Sequence, residues 1–300
     1  MSDIKKLIVN ADDFGFSPAV NSAILSGVLA GNITAASLMV NMPFAGYAAQ
    51  DVRNHCNNLS LALHFTLTSG KPVADSSEIP LLVDSCGLFK FGFFGLMKAL
   101  QSTERDPLLQ QIKIELLAQL QRMNNLAVRN RLRFDHLDSH QHVHVITGIF
   151  ELLKKEAEKR KLSLRIPREN FGSIRRMVKR SHSWFPQGFI KRMILNKHLK
   201  HAQQNIGYFG ILESGKMNEY SLHEIIRTIQ TSNSNFNQYE LNIHPSDFSI
   251  TQNDELLCCS VGDYKFHRSQ SRFREFQALQ NTKFRNTLNK YNIKLTGFPR

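Results

Sequence analysis

Apolar positions along the chain fall into short runs that alternate with helical periods. Residues 5–9 (KKLIV of KKLIVNADDFG) read as a strand. A helix follows over 17–31. Ser17 is its N-cap, Pro18 lies in its first turn, Val20, Ile24 and Val28 share one face, and Gly31 stands past its end. AASLMV (35–40) reads as a second strand. From 59 to 68 the alternation is strict: Leu59, Leu61, Leu63, Phe65 and Leu67 on one side, Ser60, Ala62, His64, Thr66 and Thr68 on the other. Residues 107–127 predict a long amphipathic helix. RFDHLD (133–138) predicts a strand, and a helix follows near 145–160. LSLRIP (162–167), YFGIL (208–212) and ELNIH (240–244) predict further strands, 270–290 a helical stretch, and IKLTGF (293–298) a closing strand.

Repeated β-then-α order predicts a parallel sheet, open or closed into a barrel. The 59–68 strand favours closure. Its polar side carries small residues, as suits a barrel interior, and its bulky apolar side suits a layer of helices. The expected fold is α/β, a distorted (β/α) barrel or one short of eight strands. It forms a single domain over 1–300, without internal repeat or linker. Residues 81–103 interrupt the order and gather Leu88, Phe89, Phe91, Phe93, Phe94, Leu96 and Met97. Core packing by a helical, aromatic insertion is the favoured reading. The alternative is an apolar lid or a contact for a lipid-bearing substrate.

Composition narrows the classes. A chain of 300 residues with 42% hydrophobic content can bury a sizeable core, which argues against disorder. The N-terminal apolar run is only Leu7, Ile8 and Val9, and no stretch reaches the roughly 20 apolar residues of a membrane span. A cytoplasmic protein is expected, with peripheral contact at the inner membrane face left open. Cys56, Cys86, Cys258 and Cys259 form no CxxC pair and read as reduced thiols. The net charge of +13 is uneven. No acid lies between Glu169 and Glu213, so 170–212 is a basic segment, with Arg175, Arg176, Lys179 and Arg180 among its charges. It is either plain solvated surface or a face for an anionic partner.

The candidate chemistry sits at predicted strand ends, where α/β folds gather reactive groups. FDHLDSHQHVH (134–144) holds four histidines and two aspartates. Asn10-Ala11-Asp12-Asp13, His64, Ser139-His140 and His244-Pro245-Ser246-Asp247 each follow or end a strand, and a parallel sheet brings all four to one rim. Adjacent aspartates on an extended backbone point in opposite directions. One can then bind a metal while the other approaches an attacking water. Two histidines and one carboxylate with open positions form the ligand set of a catalytic divalent ion. Taken singly, each feature is more often structural: a cap, an interior histidine, a turn. Their shared placement gives them weight.

The motifs LIVNADDFG, SLMVN, LALHFTLTSGKPV, LVDSCGLF, HLDSHQHVH, RIPRE and IHP occur in this order. In this the sequence resembles the YdjC-like carbohydrate deacetylases, which include the chito-oligosaccharide deacetylases. The resemblance implies a distorted (β/α) barrel that removes an acetyl group from an N-acetylated amino sugar with one divalent metal ion, Mg²⁺ or Zn²⁺. It implies Asp13, His64 and His140 as metal ligands, Asp12 as general base and His244 as the group that assists the leaving nitrogen. Asp138, His142, His144, Arg165 and Arg168 are candidates for the surrounding layer or the substrate side. Ser246, Asp247 and Phe248 depart from the glycine and aromatic that often follow HP. The 88–97 and 170–212 segments widen the substrate expectation to a lipid-linked N-acetyl sugar. No nucleic acid partner is expected, and a homodimer is left open. The rival readings are a metal-dependent phosphoesterase on the same barrel and a non-catalytic membrane-surface binding protein.

Overall fold

Among the described residues of the computed structural model, every pairing between sheet strands is parallel, so the strand C-termini meet at one rim. The described residues are 4–56, 58–167, 206–211, 213–215, 217–231, 236–250 and 261–299. Arg168, Cys258, Cys259 and the basic segment apart from 206–211 lie outside them. The strands are β1 (Lys5–Phe14), β2 (Ala35–Leu38), β3 (Ser60–Phe65), β4 (His136–Ser139), β5 (Ser163–Leu164), β6 (Ile206–Phe209), β7 (Gln238–Ile243) and β8 (Ile293–Leu295). Their order is β5-β4-β3-β2-β1-β7-β6, a curled half-barrel. β8 adds to the first half of β1 at Lys5–Leu7, and β2 pairs further along, from Asn10.

The helices are α1 (Pro18–Leu29), α2 (Ala45–His55), α3 (Phe93–Ala99), α4 (Arg105–Asn130), α5 (Ile149–Arg160), α6 (Glu219–Thr231), α7 (Val261–His267), α8 (Gln270–Gln280) and α9 (Thr282–Lys290). The side of β3 that carries Leu61, Leu63 and Phe65 faces them and joins one continuous core. The opposite side turns Ser60, Ala62 and His64 inward, as the alternation predicts. Ser17 caps α1 by accepting from the Val20 amide at 3.3 Å, with Pro18 next to it. The stretch expected to start a helix at 145 instead opens with a 3-10 segment, His140–Val145, and α5 begins at Ile149. Gln141 and His142 hold left-handed backbone there, which an α-helix cannot extend. The Leu82, Phe89, Phe93, Leu96 and Leu100 side chains of the 81–103 segment are buried in the main core. Phe91, Phe94 and Met97 pack on it, half-buried.

Glu115 and Gln119, one turn apart on α4, hold the loop that follows β3. Gln119 exchanges hydrogen bonds with the Thr66 backbone at 3.0 and 2.7 Å, and Glu115 accepts from the Val73 and Ala74 amides at 2.9 Å each. The opposite end of the barrel is closed by the chain after β8. Phe298 stacks on His136, and its amide donates to Ser60 Oγ. No helix among the described residues is long and apolar enough to cross a membrane.

Candidate metal centre

The NADDFG turn is not plain extended strand. Between Ala11 and Phe14 the register of β1 against β2 shifts by one residue, and Asp13 sits at φ 68°. A bulge of this kind re-aims side chains. The sequence-based expectation that neighbouring aspartates point apart is therefore corrected: both carboxylates converge on His64. Its Nε2 lies 3.5 Å from Asp13 Oδ1 and 3.9 Å from Asp12 Oδ2. Gly15 completes the turn at φ 88°, and a Cβ there would stand 2.9 Å from the Ala45 Cα, so only glycine fits without a shift.

Asp13, His64 and His140 are brought together, all buried, with one candidate ligand atom from each within 4.8 Å of the others. His140 Nδ1 is 2.9 Å from Asp13 Oδ1. Ligand atoms about 2.0–2.2 Å from a common ion stand roughly 3 Å apart, so the donor set fits a divalent cation. His64 is oriented for the task. Its Nδ1 is 2.6 Å from Asp138 Oδ1, which leaves Nε2 directed at the aspartates. Burial works against the imidazolium of His64, but Asp12 and Asp138 outweigh it and lift the group to about 10. Burial likewise opposes ionisation of Asp13, yet the His140 and His64 partners hold it well below the usual carboxylate range.

Asp12 is held from behind. Arg165 follows β5, is fully buried, and contacts both Asp12 oxygens at 3.1–3.2 Å. Asn10 and Asn242 each donate to the carboxylate at 2.9 Å. His244, just past β7, places Nε2 3.8 Å from Asp12 Oδ2. Burial pushes His244 down to about 4, so its ring is neutral at neutral pH. The backbone of His244 is fixed by its amide donating to Glu275 at 2.6 Å.

The other candidates separate. Asp138 sits beneath His64 and against Arg165; burial opposes its charge, but Arg165 and His64 keep it ionised. His144 bonds Ser139 at 2.5 Å, and burial lowers it to about 3, a structural setting. The His142 ring is buried between the rings of His144 and Tyr208. His136, the first histidine of the cluster, lies at the other end of β4, bonded to Asp135.

Four contributors were not singled out in the sequence. Arg272, on α8, is buried and donates to Asp13 Oδ2 at 2.9 Å. His267, at the end of α7, stacks on Phe16 with Nε2 3.9 Å from the same oxygen. Glu240, on β7, meets Arg165 at 2.7 Å, and burial lifts it to about 8. Glu275, one turn after Arg272, holds the His244 and Met217 amides. The Arg272/Glu275 spacing was legible, but an i,i+3 charge pair on a helix usually marks a solvated face.

Several known proteins are similar to this chain. A carbohydrate deacetylase of Geobacillus stearothermophilus is 39% identical over 158 residues, 53% of this chain and 58% of the relative. A chitooligosaccharide deacetylase of Salmonella schwarzengrund is 39% identical over 164 residues, 54% of this chain and 60% of the relative. The chain thus spans less than two thirds of the length of these bacterial relatives. A carbohydrate deacetylase of Xenopus laevis is 29% identical over 315 residues, covering 98% of this chain and 97% of its own. A solved Enterococcus faecalis structure, described as a candidate cellobiose-phosphate cleavage protein, shares the fold with a TM-score of 0.68 at 21% identity, covering 98% of this chain and 97% of that one. The family of YdjC-like proteins matches residues 6–290, nearly the whole chain, and the protein belongs to that family.

Proposed function

We propose that the protein is a divalent-metal-dependent hydrolase that removes the acetyl group from an N-acetylated amino sugar. The observation that carries this reading is the convergence of one cation-binding set, Asp13, His64 and His140, with a separately held carboxylate, Asp12, and a histidine, His244, on its far side. Relatives named carbohydrate deacetylases support the substrate class.

A bound divalent ion supplies Lewis-acid chemistry: it acidifies water and polarises a carbonyl. Mg²⁺ and Zn²⁺ both remain in play for a carboxylate-imidazole set. The chain's residues do the rest. Asp13, His64 and His140 hold the ion, with Asp138 fixing the His64 ring and Arg272 taking the second Asp13 oxygen. Asp12 accepts the proton of the attacking water through Oδ2, the oxygen nearest to both His64 and His244. His244 is neutral before the reaction, so it cannot begin as the proton donor. It receives the proton from Asp12 across the 3.8 Å gap and delivers it to the leaving nitrogen, giving acetate and the free amine. A lipid-linked sugar is retained as an alternative to a free oligosaccharide, as are peripheral membrane contact and a homodimer.

The test is acetate release from a panel of N-acetylglucosamine oligomers and lipid-linked N-acetyl sugars, with the bound metal measured on the same preparation. Release from no member of the panel by metal-loaded protein rejects the reading.

A further inference from the structure

The Arg165 guanidinium occupies what is otherwise a second cation site, and we infer that this side chain limits the centre to a single metal ion. Two ligand sets overlap at His64: Asp13 with His140 on one side, Asp12 with Asp138 on the other. All five side chains are buried. In the second set Asp12 Oδ2 and Asp138 Oδ1 face His64, and the other oxygens of the same two carboxylates are gathered by a cation that the chain itself supplies. Arg165 Nη2 lies 3.1 Å from Asp12 Oδ1, 2.8 Å from Asp138 Oδ2, 2.7 Å from Glu240 Oε1 and 3.4 Å from Ser37 Oγ. One nitrogen thus faces four oxygens from four strands, β1, β4, β7 and β2. That is the shell a hard, oxygen-seeking cation collects, expanded from about 2.1 Å to hydrogen-bond length.

Three further observations support it. The Arg165 amide donates to the Leu137 carbonyl at 2.9 Å, so its backbone is tied to β4 and the side chain reaches the shell from a fixed base. Burial lifts Glu240 to about 8, so near neutral pH it meets the guanidinium largely as the neutral acid at 2.7 Å. Ser37 Oγ also donates to Asp138 at 2.5 Å, so the shell is already ordered. A guanidinium cannot lose its proton at any working pH and cannot be chelated away. The arrangement therefore keeps one cation permanent and leaves one exchangeable. It also bears on the rival phosphoesterase chemistry, which commonly uses two ions roughly 4 Å apart: here the second position is closed by the chain.

The experiment counts Mn²⁺ bound to the metal-stripped full chain by equilibrium dialysis, with the paramagnetic resonance spectrum as a second readout. The wild-type count reads the proposed metal site. The difference between variant and wild type reads this inference, so the two can fail separately. Arg165→Ala should bind one Mn²⁺ more than wild type, and the spectrum should broaden through coupling of two ions. Arg165→Lys, which keeps a cation in the shell, should match wild type. Adding Asp138→Asn to Arg165→Ala should return the count to the wild-type value at Mn²⁺ concentrations that saturate the first site despite its weakened His64 partner. If Arg165→Ala does not fold, Arg165→Ala with Glu240→Gln, which removes one carboxyl together with the guanidinium, gives the same reading. Equal counts for wild type and a folded Arg165→Ala, or two ions bound to wild type, overturn the inference.

Discussion

Asp12→Asn separates proton transfer from metal binding, and the structure says why the substitution is clean. The Oδ1 atom of Asp12 accepts from Asn10 at 2.9 Å and from Arg165 at 3.1 Å, and an amide oxygen keeps these bonds. Oδ2 accepts from Asn242 at 2.9 Å and from Arg165 Nη1 at 3.2 Å, and an amide nitrogen there meets both donors, of which Arg165 keeps its bonds to Oδ1. Asn242 can turn its own amide to answer it, because its Oδ1 has no hydrogen-bond partner. Arg165 keeps Asp138 and Glu240. The stability cost should therefore stay near the 1–3 kcal/mol of a weakened charge-assisted bond. The catalytic cost is larger. Losing a general base removes roughly 10²–10⁴ in kcat, about 3–5 kcal/mol of barrier. KM should hardly move, since the role proposed for Asp12 lies in the chemical step. Metal content should remain at the wild-type value, since Asp13, His64 and His140 are intact. The assay is steady-state acetate release beside metal analysis of the same sample. A folded Asp12→Asn protein with its metal and near-normal kcat refutes the role. Loss of the metal instead makes Asp12 a ligand. Asp13→Asn is the matched control: asparagine tolerates the left-handed φ of 68°, so metal and activity should fall together without a backbone penalty.

Three other perturbations have defined outcomes. Asp138→Asn weakens the 2.6 Å partner of His64 and should lower metal affinity roughly 10–100-fold in a competition titration, while the fold survives. Gly15→Ala forces alanine to φ 88° and into the Ala45 backbone, so the melting temperature should fall by an amount equivalent to at least ~1 kcal/mol; an unchanged melting temperature contradicts the turn geometry. Glu115 is buried, which lifts it from an ordinary 4.5 to about 7, a difference worth about 3 kcal/mol. Its folded form binds the proton more tightly than the unfolded chain. The stability this gives is full below pH 4.5 and is lost as pH rises to about 7. Glu115→Gln should therefore gain on wild type in denaturant melts between pH 5 and 8, and parallel pH profiles for the two proteins reject the assignment.

The alternation at Leu59–Thr68 predicted both which side of β3 is core and that His64 points inward, because a period of two leaves no other choice. The rim placement of Asp12, Asp13, His64, His140 and His244 followed from parallel strand order. Other features had no local signature. The bulge at Ala11–Phe14 depends on pairing between distant strands, so spacing alone predicted diverging aspartates. His136 and His140 look alike in HLDSH, yet they lie at opposite ends of β4, and only Phe298 and Asp135 show what His136 does. Arg272 reaches Asp13 across 259 residues. Nothing in SRFREFQ marks which of its two arginines is buried, because that depends on how α8 docks against the rim.

The most direct test of the central claim is metal depletion and repletion. The protein is stripped with a chelator, and acetate release from N-acetylglucosamine oligomers is followed while Zn²⁺ or Mg²⁺ is added back. The account predicts that release disappears on stripping and returns fully at one ion per chain. It also predicts that neither His64→Ala nor His140→Ala recovers under the same titration. Undiminished release from stripped protein contradicts it.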